Sequence, residues 1–249
     1  MRNYFYRIVT QGPKEPLGFV IKCILILLSS LYFVAVKLRC KMYEQKIFKA
    51  YRLKAPVISI GNITWGGTGK TPMVEAICLY FSSMGKKVAL LTRGYGMDED
   101  RALAENLPDV KVLAGKDRAK NARSAQAQGH VDLFVLDDGF QHRRIERDID
   151  IVTINATNPF GNGLLIPAGI LREPLASISR ADAIVITKSN LASPPQLDGL
   201  RKMILKLKPD AQIFEALHQP LCFYNESVDI KNLGYVKEKK VCLVSALGD

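Results

Sequence analysis

The chain has 249 residues, 48% hydrophobic and 24% charged, with 35 Lys and Arg against 24 Asp and Glu for a formal net charge of +11. That length supports a sizeable core, and the composition excludes a disordered chain, a collagen and a disulfide scaffold. Five scattered cysteines without a CxxC pair and only three histidines give no zinc-ligand spacing, so the thiols read as reduced and the compartment as cytosolic.

The charge is uneven. Residues 1–54 hold eleven Lys and Arg against Glu15 and Glu44, whereas residues 55–249 hold 24 bases and 22 acids. A nearly neutral globule thus follows a basic arm, and no nucleic-acid face is expected. Within the arm, Leu17–Val36 is an apolar run with Lys22 as its one charge. At ~1.5 Å per residue it covers ~30 Å as a helix, the hydrocarbon thickness of a bilayer. It is long for a signal peptide and no small-x-small cleavage site follows. Arg2, Arg7 and Lys14 precede it, and Lys37, Arg39, Lys41, Lys46, Lys49, Arg52 and Lys54 follow. The heavier second flank predicts a cytoplasmic globule held to an anionic membrane surface. Crossing the bilayer and lying in one leaflet both fit the run.

From Pro56 short apolar runs alternate with helical patterns. Strands are expected at 56–60, 87–92, 110–113, 131–136, 149–154, 183–187, 211–217 and 241–245, and helices at 70–84, 116–128 and 196–207. Runs buried on both faces with helices between them predict an α/β fold, a P-loop NTPase-like, mainly parallel sheet with helices on both faces, preceded by the membrane helix. The expected division is an anchor over 1–54, a P-loop core over 55–210 and the start of a smaller C-terminal domain over 211–249. The last expected strand ends with no closing element, so the sequence reads as a fragment.

VISI runs into GNITWGGTGKTP and then into the helical MVEAICLYFSSMG. In this strand–glycine loop–helix layout Thr64, Trp65, Gly66, Gly67, Thr68, Gly69, Lys70 and Thr71 form a phosphate-binding loop. Its amides curl around phosphate oxygens, Lys70 reaches the β- and γ-phosphates, and Thr71 is a Mg²⁺ ligand. Thr64 stands where the usual motif has its first glycine.

The apolar strand 131–136 ends in Asp137-Asp138-Gly139-Phe140-Gln141-His142. A carboxylate there reaches Mg²⁺ or its water, and either Asp137 or Asp138 suits the part. Thr92–Asp100, TRGYGMDED, reads as a solvated acidic loop in which Arg93 meets an anionic ligand and Asp98 or Glu99 accepts a proton. Gly161–Pro174, GNGLLIPAGILREP, reads as a long functional loop. Its Arg172, beside Leu164, Leu165 and Ile166, suits an amphiphile with a phosphate headgroup.

Together, GNITWGGTGKTP, TRGYG, GKDR, DDGFQHRRIERDIDIV and NGLLIPAGILREPLASISRADAIVITK resemble the tetraacyldisaccharide 4′-kinase family of lipid A synthesis, in order and over nearly the whole chain. The resemblance implies ATP- and Mg²⁺-dependent phosphorylation of the 4′-hydroxyl of a lipid-linked glucosamine disaccharide at the cytoplasmic face of the inner membrane, with no obligate protein partner evident. It places Thr64–Thr71 on ATP and makes Asp98, Lys70 and Asp138 the catalytic candidates. Arg93, His142 and Arg172 become candidates for the lipid. Two departures stand out. Met97-Asp98-Glu99-Asp100 replaces the family's GDEP motif, and nothing matches its C-terminal PDHH histidine, which implies further chain beyond Asp249. A partitioning-type membrane ATPase shares GGTGKT but carries lysine where this chain has Trp65. A nucleotide- and lipid-binding fragment without activity is the other alternative.

Overall fold

The computed structural model describes residues 15–94, 97–224 and 229–242, with backbone only at 97–99 and 224. A long helix leads: α1 (Pro16–Glu44), with proline in its first turn and its carboxyl end closed by the Gln45 amide on the Lys41 carbonyl and the Lys46 amide on the Tyr43 carbonyl. It extends beyond the apolar run because KLRCKMYE is a stretch of good helix formers.

The globule is built on seven parallel strands: β1 (Val57–Gly61), β2 (Val88–Thr92), β3 (Lys111–Ala114), β4 (Leu133–Asp137), β5 (Ile149–Asn155), β6 (Ala183–Thr187) and β7 (Gln212–Ala216), in the order β3-β2-β4-β1-β5-β6-β7. Between them run α2 (Lys70–Ser83), α3 (Met97–Asn106), α4 (Arg118–Gln128) and α5 (Pro194–Leu207). A short antiparallel ribbon, β8 (Phe223–Tyr224) and β9 (Ile230–Lys231), lies apart from the sheet. Strands and helices fall close to the segments expected from sequence, with two differences. The acidic segment expected as a loop forms α3, the helix that covers one face of β2 and β3. Strand β7 pairs in parallel with β6, so the sheet continues past residue 210. The strand expected at 241–245 falls mainly outside the described residues.

Both faces of the central strands are apolar because both are covered. Val57, Ala89, Leu91, Phe134 and Leu136 pack with Ala119, Ala122 and Ala125 of α4. Their neighbours Ile58, Ile60, Val88, Leu90, Leu133 and Val135 pack with Val74 and Cys78 of α2 and Leu103 and Leu107 of α3. The period-two alternation of side chains thus delivers each run to two separate cores. A third cluster joins β5 and β6 to α5, Leu165, Leu171 and Phe140.

Helix α1 lies against this body. Gly18, Ile21, Leu25, Ser29, Tyr32, Val36, Cys40 and Tyr43 recur every three or four residues and are its more buried positions, while most of its other apolar side chains are exposed. By length and composition the helix is sufficient to cross a membrane.

Candidate active site

Strand register brings the site together. In the β1–β4 pair Ile60 lies opposite Asp137, so the glycine loop after β1 and the two aspartates at the end of β4 leave the sheet side by side. This is the carboxyl edge, where open parallel sheets bind ligands. The loop turns through Gly66 at φ 114° and Gly69 at φ 73°, left-handed conformations that favour glycine. Gly69 caps the start of α2, and Lys70 and Thr71 open that helix with their amides toward the loop.

A hydroxyl network braces the loop from below. Asn62 Nδ2 donates to Thr68 Oγ1 (2.8 Å), Thr68 Oγ1 lies 3.0 Å from Thr153 Oγ1, and Thr187 Oγ1 donates to the Thr68 carbonyl (3.0 Å). These residues come from β5, β6 and the β1 end, and all four are buried. Asn62, Thr153 and Thr187 were not candidates from sequence, since buried threonines in strands carry no motif.

At the mouth of the loop Asp138, at φ 46°, meets two cations. Arg172 Nη1 donates to both carboxylate oxygens at 2.9 and 2.8 Å, and Lys70 Nζ is 3.6 Å from Oδ1. Burial pushes the Asp138 carboxyl up, but Lys70 and Arg172 outweigh it and hold it below the usual carboxylate value. Burial lowers Lys70, with the Asp138 charge opposing. One carboxylate therefore offsets the Coulomb repulsion that would keep two cations from sharing a partly buried site. A phosphoryl group entering there meets both.

Behind this cluster Arg118, buried at the start of α4, donates to the Asp137 carbonyl and fixes the strand end. Glu173 is buried and accepts from Arg180 at 2.8 Å, and Arg180 sits over the Phe140 ring. Arg118 was visible in sequence only as part of GKDR, and Glu173 only as part of LREP.

The segment 161–174, which we call the strap, is zipped to the loop's lead-in. Trp65 N donates to the Ile170 carbonyl and Arg172 N to the Ile63 carbonyl, each at 2.7 Å, and Thr64 bridges Leu171. That pairing brings Arg172 to Asp138 from 34 residues away. Its guanidinium thus meets Asp138 beside the phosphate loop, a partner that the sequence reading of Arg172 as a lipid candidate does not contain. Trp65 points outward, 69% exposed. His142 is largely buried, its Nε2 without a hydrogen-bond partner among the described residues. Burial and the neighbouring Arg118 and Arg147 charges push it down to about 4. Arg93 follows β2 and is exposed. Asp98 lies in the first turn of α3, its side chain outside the described residues.

The donor set fits a magnesium ion carried in by a nucleotide. Mg²⁺ takes one or two carboxylates plus phosphate oxygens and waters; Asp137 ends β4, Asp138 follows it and Thr71 lies in the first turn of α2, so the three stand beside the loop in that proportion. Among the described residues no three His, Cys, Asp or Glu side chains form a metal cage of their own.

The family model described as tetraacyldisaccharide-1-P 4′-kinase matches residues 21–103 and 97–249. A curated tetraacyldisaccharide 4′-kinase from Anaeromyxobacter sp. (strain K) is 35% identical over 255 residues, covering 93% of this chain and 67% of the relative. That of Geobacter metallireducens is 38% identical over 203 residues, covering 72% of this chain and 60% of the relative. The solved structure of LpxK from Aquifex aeolicus in complex with ATP superposes with a TM-score of 0.71 at 29% identity, covering 89% of this chain and 72% of that one.

Proposed function

The chain belongs to the tetraacyldisaccharide-1-P 4′-kinase family, and from that premise we propose that it transfers the γ-phosphoryl group of ATP to the 4′-hydroxyl of a tetraacyl glucosamine disaccharide 1-phosphate, a lipid A precursor. The observation that carries the reading is the convergence of Lys70, Arg172 and Asp138 at the carboxyl edge beside the loop Thr64–Thr71. Phosphoryl transfer needs little covalent chemistry from a protein; it needs the phosphate placed and its spreading negative charge met by fixed cations. Lys70 and Arg172 do this from helix start and strap. Loop amides orient the β- and γ-phosphates. Asp98, at the start of α3 and one strand away from the aspartates, accepts the hydroxyl proton. Thr71 with Asp137 or Asp138 holds Mg²⁺, which when bound neutralises phosphate charge.

Helix α1 supports a membrane seat for this chemistry, with the globule at the cytoplasmic face of a bacterial inner membrane. Its globule-facing stripe makes contacts from Leu25 against Ala168 to Cys40, whose carbonyl accepts from Arg143. A perpendicular crossing by residues 17–36 drags the strap into hydrocarbon, where its irregular backbone has no water to meet. Insertion along the exposed apolar side keeps the strap at headgroup depth, where the sugar of an amphiphile resides.

The test is transfer of labelled phosphate from ATP to the disaccharide lipid in mixed micelles, by the chain and by Lys70→Ala. Transfer by the first and loss by the second is expected. A chain that binds nucleotide yet never labels the lipid overturns the reading, and acceptor-independent ATP hydrolysis points instead to a switch ATPase.

A further inference from the structure

The apolar helix reaches the catalytic cluster through polar bonds. Tyr32 lies on the buried stripe of α1, packs its ring against the cluster around β5 and β6, and donates its hydroxyl to the Arg172 carbonyl at 3.0 Å. One turn before it, Ser29 donates to the Leu165 carbonyl at 2.9 Å, at the other end of the same strap. A third bond, Arg39 Nη2 to the Gln141 carbonyl at 3.1 Å, meets the chain three residues past Asp138. All three end on backbone carbonyls and so fix where the chain runs.

At Arg172 the consequences meet. Its amide donates to Ile63, its carbonyl accepts from Tyr32, and its guanidinium holds Asp138. With backbone tied on both sides, the guanidinium works from a fixed origin. Tyrosine suits the role: its ring carries the hydroxyl at a set reach with only two rotatable bonds. Serine at that position is too short, and phenylalanine leaves a partly buried carbonyl without its donor.

We propose that Tyr32 is a positioning residue for the phosphate site: acting through the Arg172 carbonyl, it sets the guanidinium that faces Asp138 and, when nucleotide binds, the terminal phosphates. The membrane helix is then part of the nucleotide site as well as an anchor. The ligand class rests on the kinase reading above; the juxtaposition does not.

The experiment uses the full chain in vesicles of phosphatidylcholine and phosphatidylglycerol, titrated with a magnesium complex of a non-hydrolysable ATP analogue. Trp65 is the chain's one tryptophan and lies in the phosphate loop, so its fluorescence reports binding without a lipid acceptor. Tyr32→Phe is expected to float with vesicles like wild type and to bind the analogue more weakly, by a factor on the order of five to ten. In a double-mutant cycle with Arg172→Lys the two losses should fall short of additive, because both act through one guanidinium. Ser29→Ala, which frees the strap at Leu165 instead, should lower the melting temperature yet leave analogue affinity within about twofold of wild type. Analogue affinity of Tyr32→Phe within twofold of wild type, additive losses with Arg172→Lys, or equal losses in Ser29→Ala each overturn the assignment to Tyr32. A wild-type chain that binds no analogue overturns the kinase reading instead, so the two failures are distinct.

Discussion

A single guanidinium nitrogen of Arg172 sits between the two carboxylate oxygens of Asp138, at 2.9 and 2.8 Å, across 34 residues of chain. Lys70 approaches the same carboxylate at 3.6 Å. The three side chains come from the strap, the end of β4 and the start of α2, so their meeting is a product of topology. Asp138→Asn keeps the shape and removes the charge that lets the two cations coexist. Phosphate transfer at saturating substrates is expected to fall at least about a hundredfold, with Lys70 driven further below its ordinary value. A steady-state comparison with wild type checks this, and a loss under tenfold assigns the cluster to stability alone.

The strap tolerates no side chain at Gly169. A Cβ built there meets the Leu164 carbonyl oxygen at 2.1 Å and Asn162 Oδ1 at 2.3 Å. The first of these is backbone and cannot swing aside, so Gly169→Ala is expected to cost about 3 kcal/mol or more. Thermal unfolding should show a drop of several degrees. Gly163→Ala, with open space around it but φ 75°, should cost less, on the order of 1 kcal/mol.

His142 links acid stability to the site. Its folded-state value is depressed to about 4 from the ordinary 6.5 by burial and nearby arginines. Between these values the unfolded chain binds the proton and the folded chain does not. Stability is therefore lost as pH falls from about 6.5 toward 4, by on the order of 2 kcal/mol after allowance for partial exposure. Replacing the ring by an amide, His142→Gln, removes this share. Urea midpoints at pH 7 and pH 5 should differ less for the variant than for wild type.

Thiol reactivity should sort by burial. Cys78 faces the core from α2, and burial with the Asp137 and Glu75 charges pushes its thiol up to about 12. Cys222 and Cys242, both outside α1, are exposed. A thiolate-specific reagent at pH 8 should label the exposed cysteines within minutes and Cys78 only after denaturation. Mass mapping of the labelled peptides distinguishes the outcomes.

The turn after α1 carries exposed Lys46 and Lys49 around exposed Ile47 and Phe48. If that turn meets anionic headgroups, each base contributes ~1 kcal/mol near the surface. Lys46→Glu with Lys49→Glu should weaken flotation with phosphatidylglycerol vesicles by at least about tenfold at low salt and by far less at 0.5 M salt. Equal binding at both ionic strengths leaves attachment to the apolar side of α1 alone.

Much of this protein is legible one segment at a time. Strands β1, β2, β4 and β6 announce themselves because each is apolar on both faces, a property a residue carries wherever it sits. The phosphate loop is equally plain, since glycines, lysine and threonine act through a contiguous stretch of backbone. The basic collar and apolar run of α1 likewise depend on composition. The acidic stretch that forms α3 reads as a loop because charge dominates its first turn, while Leu103 and Leu107, which bury it against β2 and β3, come later.

What sequence alone determined was the parallel sheet, the position of Lys70 at a helix start and of Asp138 at a strand end, and the presence of one long apolar helix. Tertiary structure alone decided which groups those residues face. The apolar neighbours of Arg172 make it a candidate for a lipid headgroup, and only the pairing of the strap with Ile63–Trp65 shows that its guanidinium meets Asp138. Tyr32 had no signal at all, because its hydroxyl donates to a carbonyl 140 residues away. Local runs of chain encode local structure and the burial of faces. The direction of a guanidinium, or the partner of a phenol, depends on how distant segments cross, and packing settles that only when the whole chain has folded.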